Sequence, residues 1–306
     1  MRASLDADLP SSQQGADLRG RVAIVTDSVA QVEPELAQEL GITVVPMRLV
    51  LDGREYRDGI DITPPELYRR MRQEHIIPHT SSPSPGEYEE VFWQVLRRGA
   101  DSVACLTLAS RLSMGYNAAR IAAENMQAAC PQRTVVEVMD TRMATRAEGF
   151  VVVEAARAAA AGCSLEQVLA AARAARARVG LIAMVGTLEY LARGGRVPSA
   201  VSLVGNALQV KPLLTIKDDG SAVCVARRRS VASSLQYMIE FVAGCTHGAP
   251  PALVAAMHAD APEEAAELKE MAARAWPQAA VWVTDFTPVM GGHTGPGLAG
   301  LAYYCG

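Results

Sequence analysis

Three stretches of the chain gather hydroxyls, an imidazole and glycines in patterns that can hold an anion. In "HTSSPSPGE", residues 79–87, Thr80, Ser81, Ser82 and Ser84 crowd just ahead of a helix start. Ser84 supplies the cap, Pro85 the first helical position, and Glu87 reaches back from the third. The free N–H groups and positive dipole end of such a start favour a negative charge. In "LASRLSMGYNAAR", residues 108–120, Ser113 stands where a strand hands over to a helix, and reads as that helix's cap. In "MGGHTGPG", residues 290–297, His293 lies in a turn among Gly291, Gly292, Gly295 and Gly297, with Pro296 stiffening it. A histidine donates to a carboxylate in either neutral tautomer or as a cation, and the glycines leave room for a ligand beside it. Taken singly, each stretch also has a plain reading: a capped turn, a helix cap and a turn histidine.

Two arginine sites accompany them. In "LARGGRVPSA", residues 191–200, Gly194 and Gly195 end a helix and Arg196 follows, without the lysine that a phosphate-binding loop requires. Arg227, Arg228 and Arg229 alternate along a strand, so at least one faces away from its neighbours.

The elements that must position these residues are legible as alternating strands and helices. "RVAIVTDS" (21–28), "ITVVPMRLVLDG" (42–53), "SVACLTLAS" (102–110) and "TVVEVMD" (134–140) read as strands, with helices at "PELAQELG" (34–41), after Thr63-Pro64-Pro65-Glu66, after Ser84 and after Ser113. This alternation predicts a parallel sheet covered on both faces, with ligands beyond the carboxyl ends of its strands. Asp27 and Ser28, Ser110, and Asp140 fall at such ends. Residues 150–178 read as alanine-rich helix broken at Gly162, with Ser164 and Gln167 as a capping box. Beyond them "KPLLTIKDDGSAVCVARRR" (211–229) is a hairpin turning at Asp218-Asp219-Gly220. Further helices at 230–243 and from Pro262, with strands at "PALVAAMHAD" and "AVWVTDF", give a second, α+β domain with a partly antiparallel sheet. The division is a disordered tail over 1–20, an N-terminal α/β domain over 21–178 and a C-terminal α+β domain over 179–306.

Composition narrows the function. The 306 residues carry 29 basic and 33 acidic side chains, net −4, with no basic block or aromatic–arginine stripe, so nucleic acid is not an expected partner. The six cysteines lack metal-ligand spacing and read as small apolar residues in a reducing compartment. "MRASLDADLPSSQQGADLRG" lacks the apolar core of a signal peptide, and the most apolar run, "GFVVVEAARAAAAG", carries a glutamate and an arginine. A cytoplasmic location is expected.

Taken together the motifs resemble the DegV family, the fatty-acid-binding proteins that serve bacterial fatty-acid kinase. The resemblance rests on "VTDSVA" (25–30), "PHTSSPSPGEYEEVF" (78–92), "SRLSMGYNAA" (110–119), "VMDTRMA" (138–144), "YLARGGRV" (190–197), "KPLLTIKDDG" (211–220) and "GGHTGPG" (291–297), in the family's order. It implies a two-domain α/β fold with a long-chain fatty acid between the domains, its carboxylate held by Thr80, Ser113 and His293. Asp27, Ser28, Ser81, Ser110, Met114 and Thr294 are the ligand-adjacent candidates. Arg196 and Arg227 are implied to face a separate kinase subunit, which forms the acyl phosphate. No catalytic residue, metal or cofactor other than the bound acid is expected, and the protein can work as a monomer with transient membrane-surface contact. One departure stands out: the family reads Ser-Gly-Thr-Tyr where this chain has Ser113-Met114-Gly115-Tyr116.

Two other functions compete. One is a carrier or sensor of another amphipathic acid without a kinase; the other is a serine esterase using Ser113 and His293, with Asp27 or Asp140 as the acid. For the fatty-acid carrier, each buried CH₂ contributes roughly 0.8 kcal/mol, on the order of 10 kcal/mol for a long chain before ordering costs.

Overall fold

Apolar, β-branched runs buried on both faces form the first sheet. In the computed structural model, which describes residues 21–130, 135–197 and 210–306, β1 (Val22–Asp27), β2 (Ile42–Val45), β6 (Ser102–Thr107) and β7 (Val136–Asp140) pair in the order β2-β1-β6-β7, all parallel. Every residue of β1 and β6 is buried, as expected of inner strands covered by helices. The tail expected over 1–20 lies outside the described residues.

The second sheet is mixed. β8 (Val179–Met184), β9 (Lys211–Ile216), β10 (Ala222–Arg228), β11 (Leu253–Ala259), β12 (Ala280–Asp285) and β13 (Leu298–Tyr304) run in the order β10-β9-β8-β13-β11-β12. Only β11 and β12 pair in parallel. The expected hairpin joins β9 to β10, and the expected boundary near 178 falls between α6 (Leu165–Arg176) and β8. The fold is therefore α/β, with a parallel sheet in the N-terminal part and a mixed sheet in the C-terminal part.

A third, small antiparallel sheet corrects the reading of 42–53 as one strand. Pro46 cannot donate to a ladder, and the chain leaves the first sheet there. Residues Arg48–Leu51 form β3, which pairs with β4 (Arg54–Arg57) and β5 (His79–Ser81).

The helix α5 (Thr145–Ala160) holds the sheets together. It packs on β1 on one side and on β8 and β13 on the other, and most of its residues are buried. An alanine- and valine-rich helix buried over most of its length suits such a central layer. Its closest approach is at Gly149, where a Cβ would lie 2.2 Å from the Ala30 carbonyl oxygen.

Three helices matter for the site. α3 (Pro85–Arg97) begins with the predicted capping box, Ser84 Oγ accepting from Glu87 N–H and Glu87 accepting from Ser84 N–H. α4 (Gly115–Ala129) begins differently from expectation: Met114 holds the cap position, and Ser113 Oγ accepts from Gly115 N–H at 3.2 Å. His293 is not in a loop. It lies in the last turn of α10 (Pro288–Thr294), which is followed by the buried strand β13, absent from the sequence reading.

Candidate functional site

The site is built where β5, α4 and α10 converge. Alternation along β5 leaves His79 and Ser81 exposed and turns Thr80 inward, opposite the buried Leu49 of β3. An ion pair between Arg48 of β3 and Glu87 of α3 ties the small sheet to the capped helix start. Thr80 Oγ1 then meets His293 Nε2 at 2.6 Å, a contact between residues 213 apart in sequence.

Glycines bring His293 there, though not by crowding a ligand as the sequence suggested. A Cβ on Gly291 would stand 2.2 Å from Tyr68 Oη, one on Gly292 3.2 Å from Leu49 Cδ1, and one on Gly295 2.2 Å from Tyr190 Cδ2. Gly291, Gly292 and Gly295 therefore seat α10 against α2 (Pro64–Gln73), β3 and α7 (Glu189–Gly194). Gly194, at the end of α7, leaves the space that the imidazole fills: a Cβ there would be 3.1 Å from Nδ1. Asp58 fixes the other end of α10. Its carboxylate accepts from Val289 N–H at 2.8 Å and from the Ser28 hydroxyl at 2.6 Å. Burial raises this carboxyl, and those two hydrogen bonds oppose the shift. In sequence Asp58 is an ordinary turn acid; no local signal marked it, Tyr68 or Tyr190.

Beyond the Thr80–His293 contact lies a cavity of about 330 Å³, within the usual range for a small-molecule site. Thr80, Ser82, Ser113, His293 and Thr294 supply its polar atoms, while Ser81, Met114 and Arg196 stand on its exposed rim. Thr145 and Thr215 add two more hydroxyls, and the rest of the lining is mainly apolar: Val29, Leu108, Leu181, Leu214, Phe286 and Leu298 are all buried and line it. Side chains of the mixed sheet, of the small sheet and of the segments that follow β1 and β6 thus line one volume. Desolvation, and then the nearby Arg196, lower the His293 pKa to about 4, so the imidazole is neutral at pH 7. With Nε2 protonated it donates to Thr80 and leaves the Thr80 hydroxyl free to donate onward.

The remaining candidates divide. Asp27 does not line the cavity; fully buried, it accepts from Val29 N–H at 3.0 Å and Leu108 N–H at 2.9 Å, fixing two residues of the apolar wall. Burial raises its pKa to about 7 against the pull of those hydrogen bonds. Ser28 is bound to Asp58, and Ser110 donates to Asp140 at 2.6 Å, so neither points to the cavity. Thr294 donates to the Met290 carbonyl at 3.1 Å. Arg196 reaches back from the rim to the carbonyls of Gly194 at 2.7 Å and Leu112 at 3.4 Å. Arg227 is exposed on β10, away from the cavity, whereas Arg228 stacks on Tyr237 at 4.1 Å. The acids that an esterase would need are engaged elsewhere, Asp27 with the wall and Asp140 with Ser110 and Arg142.

Among the described residues no cluster of three or more His, Cys, Asp or Glu could hold a metal ion. No described helix is long and apolar enough to cross a membrane.

Fold and site define an α/β protein of two main sheets and a small third one, with an amphipathic cavity. The family model described as "Uncharacterised protein, DegV family" matches residues 21–305, and the chain belongs to the DegV family. It is similar to a DegV domain-containing protein of Streptomyces coelicolor, at 34% identity over 92% of this chain and 97% of that one. Among solved structures, a fatty-acid-binding DegV family protein from Thermus thermophilus superposes with a TM-score of 0.83 at 32% identity, covering 93% and 99% of the two chains. DegV from Bacillus subtilis, a fatty acid binding protein, does so with a TM-score of 0.84 at 26% identity over 94% and 99%.

Proposed function

We propose that this protein is a cytoplasmic carrier that holds a long-chain fatty acid with its carboxylate at Thr80, Ser113 and His293. The acyl chain lies along the apolar wall of Val29, Leu108, Leu181 and Leu214. The observation that carries this reading is the Thr80–His293 hydrogen bond in the wall of a cavity whose lining is mainly apolar. A carboxylate taken from water costs several kcal/mol unless donors replace its hydration. The hydroxyls of Thr80 and Ser113 supply two, one of them at the start of α4. The fatty acids bound by the Thermus and Bacillus relatives give the ligand class. The carrier presents the carboxylate to a separate kinase, with Arg196 on the rim and Arg227 on β10 as docking residues, and performs no chemistry alone.

The test is titration of delipidated protein with palmitic acid. Thr80→Val keeps the side-chain shape and removes the hydroxyl, and should weaken binding about tenfold or more. ATP should leave the bound acid unchanged until a bacterial fatty-acid kinase is added. Equal affinity in Thr80→Val, or turnover of an acyl ester by the protein alone, overturns the reading.

A further inference from the structure

Tyr88 of α3 is fully buried, and its phenol oxygen has no hydrogen-bond partner. An unpaired buried hydroxyl costs on the order of 1–3 kcal/mol, yet a phenylalanine would fill the same space, packing as Tyr88 does on Phe92. The oxygen's position is informative. A Cβ on Gly115 would lie 3.4 Å from Tyr88 Oη, 3.6 Å from Ser113 Oγ and 4.0 Å from Ser82 Cβ. The phenol therefore sits behind the first residue of α4, beside two residues that line the cavity. The missing side chain of Gly115 leaves free the space beside both oxygens.

We propose that Tyr88 is a positioning residue of the head-group site, whose phenol donates to Ser113 Oγ once a carboxylate engages the Ser113 hydroxyl. This rests on the carrier reading above. Among the described residues, Ser113 Oγ accepts from Gly115 N–H at 3.2 Å. When the Ser113 hydroxyl donates to a carboxylate, its oxygen becomes a stronger acceptor, and with both oxygens beside the same point, 3.4 and 3.6 Å from it, a side-chain movement can join them. Burial, with Asp27, Cys105 and Glu148 nearby, keeps that phenol protonated. Engagement of Ser113 by a carboxylate thus gives the unpaired hydroxyl a partner.

Such a role moves stability and affinity in opposite directions. Tyr88→Phe deletes an oxygen that is unpaired in the empty protein, so the melting temperature of the delipidated protein should hold or rise. Its Kd for palmitic acid should rise about five- to tenfold, the loss of one hydrogen bond between neutral hydroxyls. Palmitic acid methyl ester, which has no carboxylate to engage Ser113, should bind both proteins alike. Gly115→Ala is a second variant: its methyl makes only ordinary contacts but fills the space beside both oxygens. It should reproduce the loss, and combining it with Tyr88→Phe should add nothing further. The proposal is overturned by a Tyr88→Phe affinity within twofold of wild type, by equal losses for acid and ester, or by additive losses in the double variant. Failure of the wild type itself to bind palmitic acid removes the carrier reading, and this proposal with it.

Discussion

Gly194 and Gly195 are adjacent at the end of α7, yet the structure gives them separate tasks, and alanine at each should fail in a different way. Gly194 has no positive φ, so alanine is compatible with its backbone, and helix propensity favours it by up to about 1 kcal/mol. Its Cβ, however, would stand 3.1 Å from His293 Nδ1, tight enough that the ring must yield by a few tenths of an ångström. The imidazole cannot retreat toward Thr80, already 2.6 Å from Nε2, so it has to tilt. A hydrogen bond at a charged ligand is worth about 1.5–3 kcal/mol. A tilt that forfeits about half of it weakens fatty-acid binding about five- to tenfold, with the melting temperature held. Gly195 is the reverse case. No atom lies within 4 Å of its absent Cβ, but its φ of +68° is left-handed. Alanine there costs about 1 kcal/mol, lowering the melting temperature by about 1–2 °C in a chain of this size, and leaves affinity unchanged. Palmitic acid titration and thermal denaturation of both delipidated variants give the comparison. Wild-type affinity in Gly194→Ala, or parallel losses of affinity and stability in the two variants, would refute the reasoning.

Two pH effects follow from buried groups. Glu148 is fully buried with neither carboxyl oxygen paired, and burial, aided by Asp27 and Asp140, holds its carboxyl well above the usual range. Its contribution to stability is present below the unfolded-state value of about 4.3 and is lost as pH rises through the folded one. Glu148→Gln should therefore melt near wild type at pH 5 and increasingly above it by pH 8; parallel curves would count against the assignment. His293 shifts the other way, down to about 4, so its share of stability is present above about pH 6.5 and lost as pH falls toward 4. Its NMR titration should show a neutral ring down to about pH 5 in the empty protein, with the midpoint raised when a carboxylate binds. A midpoint near 6.5 in the empty protein would contradict the buried placement.

Local chemistry made much of this fold legible. The capping boxes at Ser84–Glu87 and Ser164–Gln167, the Asp218–Gly220 hairpin and the start of α9 (Pro262–Ala275) all depend on residues within four positions of one another. What escaped depends on distant partners. The strand β5 is three residues long and exists because β3 pairs with it across more than a full helix. The short helix α10 carries two glycines, poor helix formers, and is held by Tyr68, Leu49 and Tyr190 from three other elements. β13 is buried at every position, so it has no alternating pattern to betray it, and Gly300 is needed because Ala183 of β8 leaves no room for a side chain. The polar residues at the cavity's head were recognisable by type; the apolar wall, the tethering of Asp27 and Asp58 and the seating of His293 required the third dimension.

The most direct test of the account is to extract the purified protein with organic solvent and identify what is released by mass spectrometry, comparing wild type with His293→Ala. A near-stoichiometric long-chain fatty acid from the wild type, much reduced in the variant, is the expected result. Recovery of no amphipathic acid from the wild type, together with its failure to bind added fatty acid, would contradict the claim that the cavity is a fatty-acid site.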